Sequence, residues 1–469
     1  MRATLLGHAC WLLDTAAGSF LTDPVFDDPF EEGTVTSCPR RVVRVEQLPA
    51  LRGILLSHRH LDHCDVASLA QLDRAVPVYC PADPWLLYSL QRLGFHHVQT
   101  LIPWHALRID EVQLLPTPSL NREVLECGFM VQDATGTLFN QVDTFLAADT
   151  IQRLQREVGQ VDVHLAMYAS QNFHFFESQR QQTAQLHGIN LHTVWSLGAR
   201  CVVPAAAGFR FVDALAWLNR HVFPISQQRF VQDLHHLNPA QRVEILQPGD
   251  TLTLASGTVA VERQAAACAS LVEDDTHLLA YDATAPIPPL HDDNPAGYGL
   301  KGLQELAQGV LGLGLPPYLT HSLAAGESVV AQYGHHGVTY QVEVVFPDGT
   351  QRCWSYRFDR QQRTVRAMDQ ATAVPEVRKS ITASALADWC LGRRSYFAIR
   401  TESRRSVQVY EVARTAQGVM AQEVELPDLL THYIVHAMKG AERRGREWID
   451  WQIARLTRTA SHGASGVSG

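Results

Sequence analysis

One short segment limits what this chain can become more than any other. Gly53-Ile-Leu-Leu-Ser57 is apolar and too short for a helix, so it reads as a buried strand, and it runs straight into His58-Arg-His60-Leu-Asp62-His63. Metal-ligating side chains therefore sit on the loop at the carboxyl end of a core strand. His58 and His60 are two positions apart and can project to one side around one ion, while Asp62 and His63 can turn toward a second. Imidazole and carboxylate donors suit zinc, iron or manganese, and paired ions are a recurrent catalytic device. A chance gathering of His and Asp between His58 and Asp65 is the poorer explanation of such a loop.

The rest of the chain sets bounds on that site. A length of 469 residues is too much for one core, so two domains are expected. The net charge of −9 argues against a nucleic-acid partner. The basic residues Arg443, Arg444, Arg446, Arg455 and Arg458 alternate with Glu442, Glu447 and Asp450, as on a solvated helix face. Nine scattered cysteines without a Cys-x-x-Cys pair speak against a disulfide framework, a zinc ribbon or a redox dithiol. Met1–Leu6 reads as a strand rather than a signal peptide, and no apolar run approaches the ~20 residues of a membrane span. A cytoplasmic protein without membrane contact is the expectation.

Short apolar segments Ala3–Leu6, Cys10–Asp14 and Ser19–Thr22, broken by Gly7 and Gly18, predict a β-meander. Pro84–Leu93, Thr150–Glu157 and Gln179–Leu197 predict helices between the strands Val112–Pro116, Phe129–Gln132, Leu138–Gln141, Val161–Met167 and Cys201–Pro204. This alternation fits a layered α/β domain over residues 1–262. Proline-rich residues 286–295 lie within a linker placed at 263–297. A smaller α+β domain occupies 298–458, with a helix at Leu303–Leu313, exposed strands at Val338–Val345, Gln351–Phe358 and Ser406–Ala413, and helices at Ser380–Leu391 and Pro427–Leu456. Residues 459–469 read as a disordered tail.

His58-x-His60-x-Asp62-His63 resembles the defining motif of the metallo-β-lactamase superfamily, whose fold is an αββα sandwich. Gly7-His8-Ala9 with Leu21-Thr22-Asp23-Pro24 is similar to the opening of its UlaG-like and phospholipase-D-like branch. The resemblance covers residues 3–262 and implies further ligands. A bridging aspartate is expected after a later strand, where Asp143 stands and Asp149 is the reserve. A histidine is expected before the strand that begins near Gly128, but none lies between His105 and His164. Glu123 is the preferred substitute, ahead of Glu126. The last expected histidine, after Cys201–Pro204, is replaced by Ala205-Ala-Ala-Gly-Phe-Arg210, which leaves His174, or else His164, as the candidate. His8 and Asp23 are candidates for orienting the ligands. The resemblance thus implies a metal set of His58, His60, Asp62, His63, Glu123, Asp143 and His174, with Asp62 and Asp143 carrying the chemistry.

A glutamate in place of a histidine makes the site more anionic, and carboxylate-rich pairs favour iron. The resemblance is then to the di-iron β-hydroxylases of non-ribosomal peptide pathways. Residues 199–209 and Ile245-Leu-Gln-Pro-Gly-Asp-Thr-Leu252 are similar to stretches of CMP-N-acetylneuraminate hydroxylase. That family adds a Rieske domain, whose Cys-x-His and Cys-x-x-His pairs are missing here. These resemblances imply a non-haem di-iron mono-oxygenase acting on a small, free or carrier-bound molecule, with electrons from an external donor or the substrate. The alternative is a di-zinc hydrolase of an ester, lactone, amide or phosphodiester, and a second alternative is a binding module with a degraded site. Phe173, Phe175, Phe176, Trp104 and Tyr168 are candidate pocket walls or core residues, and Arg210 is a candidate anion anchor or ion-pair partner. The pairs His96-His97, His235-His236 and His335-His336 read as structural. The C-terminal domain loosely resembles sterol-carrier-like domains, and its open roles are an active-site entrance, a homodimer contact, a carrier-protein contact or simple packing.

Overall fold

Glycines at the turns and alternating burial lay the start of the chain down as the expected meander. In the computed structural model, which describes residues 1–121, 123–173, 180–415, 418–438 and 440–464, strands Arg2–Gly7, Cys10–Thr15 and Gly18–Thr22 pair antiparallel. Gly18–Thr22 then pairs in parallel with Leu51–Leu55, and Val78–Pro81 and Val98–Leu101 continue the sheet. On its other side Thr251–Ala255 joins Arg2–Gly7 and carries the hairpin partner Thr258–Glu262. A second sheet runs in the order Arg242–Val243, Cys201–Ala205, Val163–Met167, Gly136–Asn140, Cys127–Asp133, Val112–Pro118 and Leu107–Ile109.

The two sheets face each other across one core. Trp11, Leu13, Phe20 and Leu55 from the first sheet meet Phe129, Val131, Leu138, Val163 and Val203 from the second, all of them buried. Helix Pro84–Leu93 covers the outer face of the first sheet with Leu86 and Leu90. Helices Ala148–Glu157 and Arg180–Leu197 cover the second with Ile151, Leu154 and Leu197. The result is the αββα layering expected of residues 1–262. Asp83 caps the helix that begins at Pro84, accepting from the Trp85 and Leu86 amides, while Gly94 ends it in a left-handed conformation.

The chain divides into two units, one of residues 1–172, 180–285 and the chain from Gln452, the other centred on Pro286–Trp451. The stretch 263–285, expected to be linker, belongs to the first unit. Its strand Ala269–Glu273 pairs with Arg40–Val43, a long-range pairing that local sequence does not announce. In the second unit five strands, in the order Thr364–Met368, Gln351–Asp359, Thr339–Val345, Val377–Thr382 and Arg404–Val407, form one sheet. Its central strands are buried rather than exposed, because Tyr340, Val342, Val344 and Tyr356 pack with Leu303, Leu315 and Leu319. The helix expected at Ser380–Leu391 begins only at Ala383, where the Thr382 hydroxyl caps the Ala385 amide. The helix expected over Pro427–Leu456 is divided at Gly440, whose φ is +78°, and its last piece runs from Ala441 to Ala464, through most of the expected tail. Among the described residues no helix is long and apolar enough to cross a membrane.

Phe129 is fully buried between the two sheets. Phe129→Ala should lower the unfolding free energy by about 3–5 kcal/mol, read by denaturant unfolding, whereas a loss under about 1 kcal/mol would show that this core collapses around the vacancy.

Candidate metal centre

The loops that come after Arg2–Gly7, Gly18–Thr22, Leu51–Leu55 and Gly136–Asn140, with the one that precedes Cys127–Asp133, carry His8, Asp23, Ser57–His63, Asp143 and Glu126 respectively. Asp23 is their organiser. Its fully buried carboxylate accepts from the Ser57 amide at 2.7 Å, from the Ser57 hydroxyl at 2.6 Å and from His63 Nδ1 at 2.9 Å. Because the hydroxyl donates to Asp23, it accepts from His58 Nδ1, which lies 2.9 Å away. Both imidazoles thereby carry a proton on Nδ1, so that Nε2 is the atom each turns toward the site. His58 Nε2 stands 2.9 Å from His60 Nδ1. His8 Nε2 holds Asp62 Oδ2 at 3.1 Å.

What these residues face is a set of buried donor atoms without hydrogen-bond partners. His63 Nε2 lies 3.5 Å from Asp62 Oδ2 and 3.4 Å from Asp143 Oδ2, and neither it nor Asp143 Oδ1 has a hydrogen-bond partner. Ligand atoms of His58, His63 and Asp143 lie within 4.8 Å of one another, as do those of His8, Asp62 and His63. Buried polar atoms are normally satisfied, so unsatisfied imidazole and carboxylate atoms converging at these distances fit metal ions well. Without an ion the charges lean on each other. Burial works against the His63 imidazolium, but the Asp62 and Asp143 carboxylates outweigh it and hold its pKa well above the ordinary range. Burial likewise opposes the Asp62 carboxylate, but His63 and His8 pull its pKa well down. Burial, with His63 and His60 beside it, keeps the His58 pKa far below that of a free imidazole.

The backbone is strained around the same point. His8, Asp23, Glu31, Glu32, Val142 and Ala206 all have positive φ, between 39° and 58°. Left-handed non-glycine residues cost of order 1–3 kcal/mol each and gather at functional sites. Val142 is β-branched, for which this conformation is a genuine outlier, and it aims the next residue, Asp143. At Gly208 a Cβ would meet the His8 backbone at 3.0 Å, so only glycine lets that loop pass.

The structure brings His58, His60, Asp62, His63 and Asp143 together, with His8 and Asp23 holding Asp62 and His63. Glu123 and Glu126 part company. The Glu123 side chain is exposed and its carbonyl accepts from Arg59. Glu126 is buried, accepts from Ser119 Oγ and from Asn121 Nδ2 at 3.0 Å, and feels the charges of Asp143 and His63. His174 lies outside the described residues, as do Phe175 and Phe176. His164 is a core histidine, stacked on Phe139 and bonded to Gln141 Oε1 at 2.9 Å, and burial drives its pKa down to about 3. Asp149 is exposed in the first turn of a helix. Arg210 is engaged by Asp275 at 2.7 Å, Trp104 lies under Arg153, and Tyr168 packs against Phe230. Sequence reasoning passed over Glu31, which is buried against Asp62. Its one signal was an acidic pair, Glu31-Glu32, between Phe30 and Gly33 in a loop that leads from Asp23.

Residues 19–187 match the family model of a β-lactamase superfamily domain. A Mycolicibacterium smegmatis protein named for a Rieske 2Fe-2S cluster is 25% identical over 179 residues, which are 36% of this chain and 34% of that protein. A metal-dependent hydrolase of Carboxydothermus hydrogenoformans is 28% identical over 180 residues, 35% of this chain and 71% of that protein. The chain spans about a third of the length of the Rieske-named relatives it matches. Among solved structures, the di-iron β-hydroxylase CmlA of Streptomyces venezuelae superposes with a TM-score of 0.33 at 18% identity, covering 44% of this chain and 45% of that one.

Burial pushes the Glu126 carboxyl up from its ordinary value of 4.5 to about 7. A raised acid stabilises the folded state fully below its unfolded pKa, and that contribution is lost as pH rises through the folded value. In chelator-stripped protein Glu126→Gln should therefore gain stability relative to wild type between about pH 4.5 and about pH 7, read by denaturant unfolding across that range. A difference that stays constant with pH would show that the carboxyl is not held protonated.

Proposed function

We propose that this β-lactamase superfamily domain houses a dinuclear metal enzyme, and that the enzyme oxidises or hydroxylates a small molecule with dioxygen. The observation that carries the reading is Glu126. The sequence has no histidine between His105 and His164, and the buried carboxylate that feels the charges of Asp143 and His63 is the substitute on offer. His58, His60 and Glu126 would hold one ion, Asp62 and His63 the other, with Asp143 shared between them. Glu126 thus takes the role expected of Glu123, whose side chain turns to solvent. Carboxylates are hard donors that favour iron and stabilise its oxidised form. Two iron ions in such a site would supply the oxygen activation and the redox change.

The chain's own residues do the positioning. Asp23 fixes His63 and, through Ser57, His58, so that both present Nε2. His8 turns Asp62 toward the same point. Such orienting bonds typically affect metal affinity 10–100-fold. Hydroxylation consumes the substrate C–H, one dioxygen, two electrons and two protons, and yields the alcohol and water. The relatives named for Rieske 2Fe-2S proteins support an iron–sulfur protein as the electron donor. A second reading, a di-zinc hydrolase, is favoured by the metal-dependent hydrolase that the chain matches over 71% of its length. Zinc would lower the pKa of water to near 7 for attack on an ester, lactone, amide or phosphodiester.

Protein purified without chelator or added metal should contain about two irons per chain by plasma mass spectrometry, with Mössbauer parameters of a coupled pair. Two zincs and no iron would overturn the oxygenase and leave the hydrolase. Protein free of metal, unable to take up either ion, would overturn both.

A further inference from the structure

We propose that the hairpin of Tyr410–Thr415 and Gly418–Glu423 is an arm through which the chain pairs with a second copy of itself. Among the described residues these two strands pair with each other alone, as a sheet separate from the five-stranded one of the second unit. Their root is fixed in the core. Val409 and Leu426 are buried, and the Val424 amide donates to the Val409 carbonyl at 2.9 Å. Beyond the root the apolar side chains come out: Tyr410 is 56% exposed, Val419 68% and Val412 73%. A two-stranded hairpin standing alone is marginally stable at best in water, and apolar side chains gathered on its open face invite a partner.

The register sorts these side chains into two unlike faces, because successive residues of a strand point to opposite sides. One face carries Glu411, which lies 3.9 Å from His335 and 3.7 Å from His336 on the helix Ser328–His336. That face is turned to its own chain. The opposite face holds the cross-strand pairs Tyr410–Glu423, Val412–Ala421 and Arg414–Val419, and all six residues are exposed. It is an apolar strip with a carboxylate at one end and a guanidinium at the other. A surface of this polarity is complementary to itself. When two such faces meet with their strands antiparallel, about a two-fold axis at the Val412–Ala421 pair, each Arg414 lies over the Tyr410–Glu423 pair of the other copy. Ion-pair and cation–π contact then form twice, on either side of an apolar centre. The strip is only ~13 Å long between its charged ends. An interface built on it is small, so the dimer forms and dissociates with concentration.

The test is analytical ultracentrifugation of the full chain across a wide range of micromolar concentrations, where wild type should pass from monomer to dimer. Arg414→Glu and Glu423→Arg each set like charges against one another across the two-fold axis, and each should weaken association about tenfold or more. Mixed in equal amounts, the two variants should associate with each other, because opposite charges then meet at both ends. Both changes in one chain should likewise restore the wild-type dimer. A wild type that stays monomeric at every concentration would overturn the proposal. So would a dimer that neither single reversal weakens, since it would use another face, and so would a mixture that fails to associate. Should a single variant fail to fold, by near-ultraviolet circular dichroism, Val412→Lys takes its place: loss of the dimer supports this face and its persistence overturns it.

Discussion

The buried carboxylate of Asp23 is the interaction on which the rest of the centre depends. It sits at the end of Gly18–Thr22 and receives three donors, two from Ser57 and one from His63. One group thus ties two parallel strands of the same sheet at their carboxyl ends and sets the tautomers of two imidazoles. Against burial, and together with Asp62 and Asp143, its hydrogen bond helps hold up the pKa of His63, which lies between it and those two carboxylates. Sandwich, strand register and ligand orientation are therefore one arrangement, since a shift of Leu51–Leu55 against Gly18–Thr22 would undo all three donors at once.

How much of this was legible in the sequence depends on how local each feature is. The His58–His63 run could be read because its ligands lie on one loop behind one strand. The choice between Glu123 and Glu126 was not legible, because it depends on register three residues apart. Glu126 directly precedes Cys127, whose amide bonds the Ser57 carbonyl at 3.2 Å, so its side chain turns in, while Glu123 lies farther out in the Ser119–Glu126 loop. Glu31 was harder still, since its inward aim comes from two consecutive left-handed residues that no sequence pattern announces.

The same distinction runs through the fold. The first meander and the helix at Pro84–Leu93 came from punctuation and periodicity within a few residues. The strand Ala269–Glu273 did not, because it exists only through pairing with Arg40–Val43, more than two hundred residues earlier. The buried strands of the second unit alternated like exposed ones because helices from far along the chain cover them. In each failure a distant partner overrode a local pattern.

Charge balance links the two functional readings to the geometry. Were two divalent ions held there with their ligands ionised, Asp62, Asp143 and Glu126 would set three negative charges against four positive ones. A site left with one positive charge suits an anionic water-derived nucleophile, as a hydrolase requires. A further carboxylate would make such a divalent pair neutral, so that positive charge gained on oxidation would meet more compensating carboxylate. Extra carboxylate favours the oxidised ions for the same reason that it lowers the potential of the pair. The number of carboxylates that face the ions therefore bears on the choice between hydrolysis and oxidation.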